Sequence, residues 1–533
     1  MPICGAQYAG GMRGRALYGT LCAVLVPAVF HGFALADGVS TPTVTAIQNN
    51  YGLIPQGRPN WGIAPGSLFL VRGSGLANVT TELQSSAPPG LQTTLHGVNV
   101  TVTVRNTTVE CFLYYLSPGQ IDAVLPGNTP VGLGTLTVTN NGQRSAPVGI
   151  NVAASAFGIL SYNDTLAAAY DLNYQLLTPA NSANPSQTIV LWGSGIGRDP
   201  ANDDAVFPQK LNNLTGIEMH AFIGGTDAMI LYRGRSQYPG VDVIVLTIPP
   251  NTATGCYTSL VVVTGTIVSN STTIPISASG KMCSDSNAAF APAELQALAG
   301  KGTVKQATLV MDTARNAYAD FQEIGNFGAS IGSNSVSIGS CLVLAPTNSS
   351  STTSSPLDAG PEITLSSPTG STVTLNPSTA TSYRNADPLP GNFFPVGGGT
   401  FTFDNGAGGN NVGHFSAALH FPALSFLWMN QEQITTVNRA QGLAVSWSGA
   451  TGDSYVQITG GATSLGGSST FVCQAPQSAG TFAVPSWVTL SMPPGPVVLI
   501  VELVSKPIPF SAPGLDIGFT RALIMNTKPV RFN

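Results

Sequence analysis

The sequence predicts an all-β chain: two similar sandwich modules in tandem, then a β-rich C-terminal domain with one short helix. Three observations carry that prediction. Only 8% of the 533 residues are charged, against roughly 25% in ordinary soluble domains. Glycine and proline are abundant, at 60 and 39 residues, and they punctuate short runs rich in Val, Ile, Thr and Leu, the pattern of strands between turns. A stretch of the first half then recurs about 120 residues later. Hydrophobic residues make up 43% of the chain, enough for a packed core, which excludes disorder driven by charge. A net charge of −5 with six lysines offers little to neutralise a phosphate backbone and excludes a nucleic-acid partner. Long charged helices are excluded too, because their solvent faces need Glu, Lys and Arg. The surface must be built from Ser, Thr, Asn, Gln and Gly, the composition of extracellular β-structure.

Residues 1–36 read as a signal peptide. Arg13 and Arg15 precede an apolar stretch from Ala16 to Leu35, and Ala34-Leu35-Ala36 supplies a small-residue cleavage site before Asp37. Met12 is an alternative start that gives a peptide of ordinary signal length. Pro27, His31 and the small-residue exit argue against a membrane anchor. No later stretch approaches the ~20 apolar residues of a span. Pro496–Val504, the most apolar late run, has the length of a strand.

The repeat organises residues 37–283. Pro65-Gly66-Ser67 opens PGSLFLVRGSGLA, and Pro185-Ser186-Gln187 opens PSQTIVLWGSGIG. Gly73 and Gly75 correspond to Gly193 and Gly195. Downstream, Gly97–Val102 corresponds to Gly216–Ala221, Ser117–Pro126 to Ser236–Pro249, and Ser145–Val148 to Ser269–Thr272. The drift of the offset toward 124 is explained by loop insertions. Hairpin signals such as LTVTNN before Gly142 and VVVTG before TIVSN recur about every ten residues. Roughly 100 residues with about seven such strands describe an immunoglobulin-like sandwich. The expected modules are 37–158 and 159–283.

The order of an apolar strand, G-S-G-L/I, G-V-x-V, Y-x-S-P-G-Q-I and a last hairpin ending S-A-P-V resembles the IPT/TIG immunoglobulin-like modules. More narrowly it resembles the Solibacter uncharacterised C-terminal domain family of exported proteins. The recurrent mark of that family, S-P-x-Q-I-N before an apolar V-P, stands here as Ser117-Pro118-Gly119-Gln120-Ile121-Asp122 and Leu125-Pro126. In the second copy, Ser236–Asp242 keeps Pro239-Gly240 and loses the Gln. The resemblance covers about residues 45–280. It implies β-sandwich modules and carries no catalytic positions.

Residues 284–533 form the expected C-terminal domain, either one body or two subdomains meeting near residue 415. Pro292–Leu298 reads as the one short helix, with Pro near its first turn and Gly300 as its stop. Val304–Met311 reads as a strand, and Thr347–Pro356 as a Ser/Thr-rich flexible segment. Strands are then expected at Glu362–Leu365, Gly399–Phe403, Leu443–Trp447, Tyr455–Thr459 and Trp487–Leu490.

Five cysteines follow the signal segment, with no C-x-x-C pair to suggest zinc. An exported chain permits disulfides. Cys256 opens a strand-like run and Cys283 follows the next one, so Cys256–Cys283 is the favoured pair, with Cys341–Cys473 second. Cys111 is left over in an apolar run and reads as a small buried hydrophobe.

Constellations for chemistry are weak. Gly328-Ala329-Ser330-Ile331-Gly332 matches G-x-S-x-G, but a nucleophile elbow needs a helix after the serine, and Ser335–Leu344 reads as a strand. His96 and His220 fall in the sandwich modules. His414 and His420 would share one strand face and, with Asp404, could hold a metal, although imidazoles in a sheet are the plainer reading. Asp199, Asp203 and Asp204 make the densest acidic patch. A solvated loop is the plainer reading there, and a structural calcium the most credible ion for an exported sandwich. The acids Asp358, Glu362, Asp404 and Asp453 are scattered, whereas glycoside hydrolysis needs two across a cleft. Trp61, Trp192, Trp428, Trp447 and Trp487 are expected in cores rather than on a sugar platform. Gly193–Gly197 lacks the spacing of a nucleotide loop. No catalytic, cofactor-binding or metal residue is therefore assigned. The expected role is binding, adhesion or architecture, secreted or at the cell surface, with a surface polymer or protein as partner. The alternative is a polysaccharide-acting hydrolase with its active site in 284–533.

Overall fold

The computed structural model describes residues 41–533, except 163–164, 201–203, 207–210, 326–335, 345–352, 380–381 and 465–466. The signal segment, the Gly328–Gly332 motif, Asp203 and most of Thr347–Pro356 lie outside the described residues. The chain is all-β, with 51% strand and 4% helix.

In the first module, one sheet runs Thr43–Asn49, Leu68–Ser74, Gln120–Val124, Phe112–Leu116. The facing sheet is built on Val148–Val152, Gly132–Asn140 and Val98–Val104. Val98–Val104 (VNVTVTV) alternates strictly, burying its four valines and half-exposing Asn and Thr. This period of two is what a half-buried strand requires. The valines join Ile47, Phe69, Val71, Leu136 and Val138 in one core, with the free Cys111 fully buried among them. The edge strand Phe112–Leu116 is covered by a loop: Thr81 and Gln84 donate their backbone N–H groups to Leu116 O and Tyr114 O.

The second module repeats the plan around its own core, which includes Ile189, Leu191, Ile244, Leu246, Leu260 and Val262. The repeat extends to single hydrogen bonds. Ser145 Oγ accepts from Val138 N, and Ser269 Oγ from Val262 N, both at 3.0 Å. Thr129 and Thr252 donate their hydroxyls to Pro126 O and Pro249 O. The shared G-S-G phrase marks a crossing of chains. A Cβ on Gly73 would run into Thr43 O, and one on Gly193 into the Phe157 ring and Gly158 O. Only glycine lets the backbone approach that closely.

The C-terminal part holds a small sheet of Leu427–Trp428, Leu443–Ser448 and Thr481–Val484 and one long sheet, which runs from the edge strand Cys341–Leu344 through Gly467–Pro476, Ser454–Ser464 and Gly495–Ser505 to Ile517–Phe532. It continues through Thr303–Asp312, Ala317–Gly325 and Ser382–Asn385 and ends at Ser416–Phe421. Thr303–Asp312 pairs in parallel with Ile517–Phe532, so the first and last strands of this part meet at its centre. Gly399–Asp404 and Ser416–Phe421 form a hairpin across residue 415. Phe321, Phe401, Phe403, Phe415 and Phe421 are among the aromatic residues of its core.

Three expectations are corrected. Trp487–Leu490 is not a strand but part of a second short helix, Ser486–Ser491, so the chain has more than one helix. Strand-favouring residues yield there because Pro485, at φ −62°, starts the turn, and Val488 N donates to Pro485 O. Trp487, Val488 and Thr489 are then all buried, so tertiary packing overrides propensity. Of the strand expected over Ser335–Leu344, whose described part begins at residue 336, only Cys341–Leu344 forms. Before it, Ser340 N bonds back to Ser337 O in a turn.

Two disulfides are present, Cys256–Cys283 and Cys341–Cys473. The second joins residues directly opposite on neighbouring strands. The second module covers the edge strand that carries Cys341: Val343 N donates to Ser271 Oγ at 3.1 Å and Ser259 N to Ser340 Oγ at 3.2 Å. No described helix is long and apolar enough to cross a membrane.

Candidate functional site

Of the acidic patch expected as a solvated loop, the described members Asp199 and Asp204 lie at the junction of the two modules instead. Asp199 is 3% exposed and accepts from Asn212 Nδ2 at 3.0 Å, and Asp204 Oδ2 accepts from Gly127 N of the first module. Both lie near Arg235, whose Nη1 is bonded to Asp242 Oδ1 with neither side chain exposed. Burial works against the Arg235 charge, but Asp242, Asp204 and Asp199 outweigh it and hold its pKa above the ordinary value. Arg235 Nη2 also reaches Pro65 O and Gly197 O, and Asp242 Oδ2 accepts from Gly195 N and Ile196 N. Ser194 Oγ donates to Gly240 O and accepts from Leu68 N. With most of its polar groups turned on one another, this cluster is a fastening between the modules rather than a ligand site.

The other polar concentration is the outer face of the long C-terminal sheet. In Ala317–Gly325 the inward residues are Ala317, Ala319 and Phe321, and the outward ones are Tyr318, Asp320 and Gln322. Register places these outward residues in rows across the strands. One row is Ser382, Asp320, Thr308 and Phe519; the next is Arg384, Tyr318, Val310 and Arg521. Beyond them lie Asp312, Leu523, Val504 and Tyr455, then Met525, Glu502, Gln457 and Gln474.

The face runs from open to closed. Arg384 is exposed and Tyr318, Asp320, Thr308 and Arg521 are half-buried, whereas Tyr455 and Glu502 are 5% and 6% exposed. The Arg384 guanidinium lies 4.9 Å above the centre of the Tyr318 ring, a cation–π pairing that holds both side chains in place. Arg521 stands between the two ends. It bonds to Tyr455 and lies within electrostatic reach of Glu502 and Tyr318, and its Nε is buried without a partner. At the closed end a chain of amides crosses four elements. Asn287 Nδ2 donates to Gln474 Oε1, Gln474 Nε2 to Gln457 Oε1 at 3.1 Å, and Gln457 Nε2 to Glu502 Oε1 at 2.6 Å.

Burial raises the Glu502 pKa, the Gln457 bond and Arg521 oppose that, and Asp312 adds to it; the balance lies above the ordinary glutamate value. Burial likewise pushes the Tyr455 hydroxyl up to about 12. The face thus offers a tyrosine ring capped by a guanidinium, a second planar guanidinium, and carboxylate and hydroxyl acceptors.

The candidates singled out from the sequence are dispersed. His414 Nδ1 bonds Gly406 O at 2.6 Å, while His420 lies on a strand opposite Thr400, and Asp404 is opposite Ser416. Asp358 accepts from Gly360 N and Asn410 N, bonds that hold its pKa below the ordinary carboxylate value, and Asp404 accepts from Gly406 N. Those aspartates shape turns. Asp453 pairs with Lys506 at 3.6 Å on the surface. His220 pairs with Asp227 at 2.8 Å, also exposed. The described residues contain no group of three or more His, Cys, Asp or Glu placed to hold a metal ion. Trp428 and Trp447 sit in the core, with Nε1 donated to Asn430 Oδ1 and Gln477 O. Sequence reading missed Tyr318, Arg384, Arg521 and Glu502, although the A-Y-A-D-F-Q alternation marks the first of their strands. Their convergence depends on strands such as those that pair Val310 with Arg521, far apart in the sequence.

No protein-family model and no curated protein sequence matches the chain. Among solved structures, it is similar to a tetra-tandem repeat from the extending region of a large adhesion protein. The identity is 10%, the match covers 92% of this chain and 99% of that one, and the TM-score is 0.13. It is also similar to a Bacteroides ovatus surface glycan-binding protein of a mixed-linkage glucan utilization locus, solved with a mixed-linkage heptasaccharide. There the identity is 11%, the coverage 72% and 79%, and the TM-score 0.16. Domains 5–6 of the S-layer protein SbsC match at 15% identity, with coverage of 44% and 98% and a TM-score of 0.17. Likeness at this level does not bear on what this chain binds.

Proposed function

We propose that this is an exported polymer-binding protein of the cell surface or its surroundings, with residues 1–36 as its signal peptide and 37–283 as IPT/TIG-type modules. The modules present the C-terminal sheet face, which holds a neutral, hydroxyl-rich polymer such as a polysaccharide. Two disulfides favour an oxidising compartment. The observation that carries the reading is the row of Arg384, Tyr318 and Arg521 on an open sheet face, with Asp320 and Thr308 in the next row. Affinity electrophoresis through gels containing β-glucan, xylan, mannan or chitin tests it, using the chain from residue 37. The expected result is retardation by at least one polymer and its loss in the R384A/Y318A variant. Unretarded migration in all four gels, or retardation that survives the double substitution, overturns it.

A hydrolase is the second reading, favoured by one feature: a buried carboxyl with a raised pKa, Glu502, near a second acid, Asp312. That is the pattern of an acid held protonated for catalysis. Against it, Glu502 Oε1 is occupied by Gln457, and Asp312 accepts from Asn316 N and Nδ2 in a hairpin turn. Release of reducing ends from the polymer that binds, abolished by E502Q, would establish this reading in place of simple binding.

A further inference from the structure

Each module has a sheet face that looks away from its own core, and the two copies carry it in the same register. In the first module one row of this face is Leu68, Val124 and Phe112; in the second the matching row is Thr188, Thr247 and Met229. The next row is Leu70, Asp122 and Tyr115 in the first copy, and Val190, Val245 and Tyr232 in the second. Both copies shift register at the same place, which leaves Tyr114 in one and Leu231 in the other as the extra residue.

In the first module this face is an interface. Leu68, Val124 and Tyr114 are buried in a cluster with Leu91. The second module closes over them: Tyr114 Oη donates to Pro239 O at 3.1 Å, and a Cβ on Gly240 would run into Leu68 and Val124. In the second module the matching face stays open, because the C-terminal part packs on the opposite sheet, through Val261 and Val263. Met229 and Leu231 are 63% and 47% exposed, and Tyr232 and Val245 are half-buried. The strand Ala169–Asp171 widens the face by pairing Tyr170 with Val190, and Leu172, one residue beyond that strand, is 63% exposed. None of these side chains is charged. Where the first copy has Asp122, this copy has Val245. Aromatic residues and Met without charge are the composition of an interface centre, and a contiguous exposed apolar patch marks a site of association.

Three features select a second copy of the chain as the occupant. The equivalent face of the first module already receives a module of this type. A charge-free face is matched without stranding a buried charge only by another charge-free face, and this face is itself one. The described chain offers it open once, so two copies that meet through it close on each other about a two-fold axis and assembly stops at two.

We propose that the outer face of the second module, centred on Met229, Leu231 and Val245, is the interface of a two-fold dimer. The dimer is separate from the Tyr318–Arg384 face and does not depend on that face binding a polymer. Parts of four strands make a smaller contact than the roughly 20–30 residues a side of a standard interface. The expected dimer is therefore reversible, with a Kd on the order of 10 μM.

Sedimentation velocity on the chain from residue 37, from about 1 to about 300 μM, tests this. The expected result is a reversible rise toward twice the monomer mass. The Kd should increase at least about tenfold in M229E/L231E, which changes exposed positions, and in V245D, which installs the acid that the first module already carries at this place. It should stay unchanged in R384A/Y318A. A wild-type chain that remains monomeric throughout overturns the proposal, and so does a dimer that M229E/L231E and V245D leave intact. A monomeric chain whose retardation in polymer-containing gels is lost in M229E/L231E would assign the face to a polymer instead, and mass that grows past the dimer would refute the two-fold contact.

Discussion

Arg235 and Asp242 form an ion pair from which water is wholly excluded, at the point where the second module meets the first. A buried pair adds little net stability over a well-packed apolar pair, because desolvation offsets the attraction. Losing one partner is different, since the other is left charged and buried. R235M should therefore cost about 3–5 kcal/mol, and D242L a similar amount, in urea denaturation. The double variant should recover most of that loss. Two single losses that simply add would show that the residues do not act as a pair.

Glu502 gives stability a pH dependence of defined sign. Its folded pKa is raised above the ordinary glutamate value, mainly by burial. The folded chain therefore holds a proton that the unfolded chain has released, and stability falls as pH rises from the ordinary glutamate range through the raised value. E502Q keeps a hydrogen-bonding partner for Gln457 and removes the titration. Its Tm should match wild type at low pH and exceed it at neutral pH. A constant difference between the two across that range would refute the assignment.

Thiol accounting follows from the pairing. In the chain from residue 37, Cys111 is the free thiol, and it is buried. Burial, with Glu110 beside it, pushes its pKa upward, so little reactive thiolate forms. Ellman titration should find no reactive thiol in the native chain and one in denaturant. More than one in denaturant would mean that a disulfide is missing.

Of the two disulfides, Cys341–Cys473 spans 132 residues of sequence and Cys256–Cys283 only 27. In the chain-entropy account the longer closure restrains the unfolded chain more. C341S/C473S should lower stability by about 2–4 kcal/mol, and C256S/C283S by less. Calorimetry of the two variants checks the order, and the reverse order would show that local packing outweighs chain entropy here.

The strands Gly132–Asn140 and Gly255–Thr264 are copies of one strand, with Leu136 and Val138 matching Leu260 and Val262 in the two cores. Their outward positions differ: Thr137 and Thr139 in the first copy, Val261 and Val263 in the second. V261T would place a hydroxyl in the C-terminal core and should cost about 1–3 kcal/mol. T139V, at a half-exposed position, should change stability by no more than about 0.5 kcal/mol. Equal effects in denaturant titrations would mean that the two faces are not differently covered.

Local pattern is enough for the all-β class and the repeat. Alternation at period two identifies a buried face without any knowledge of what lies on it. The sequence also favours Cys256–Cys283, whose residues lie at the ends of consecutive strand-like runs, whereas Cys341 and Cys473 meet because sheet order makes their strands neighbours. The structure alone decided what covers each outer face. In the second module all ten residues of Gly255–Thr264 are buried, because Val261 and Val263 pack into the C-terminal core. The change from Thr to Val between the copies is visible in the sequence, but its cause is a contact with strands well beyond the repeat. The same holds for the candidate face. Tyr318, Arg384 and Arg521 become neighbours only through sheet register, and Trp487 enters the core from a helix that Pro485 starts in a strand-like segment. Nearly every such contact joins residues far apart in the chain, and local propensity carries no information about them.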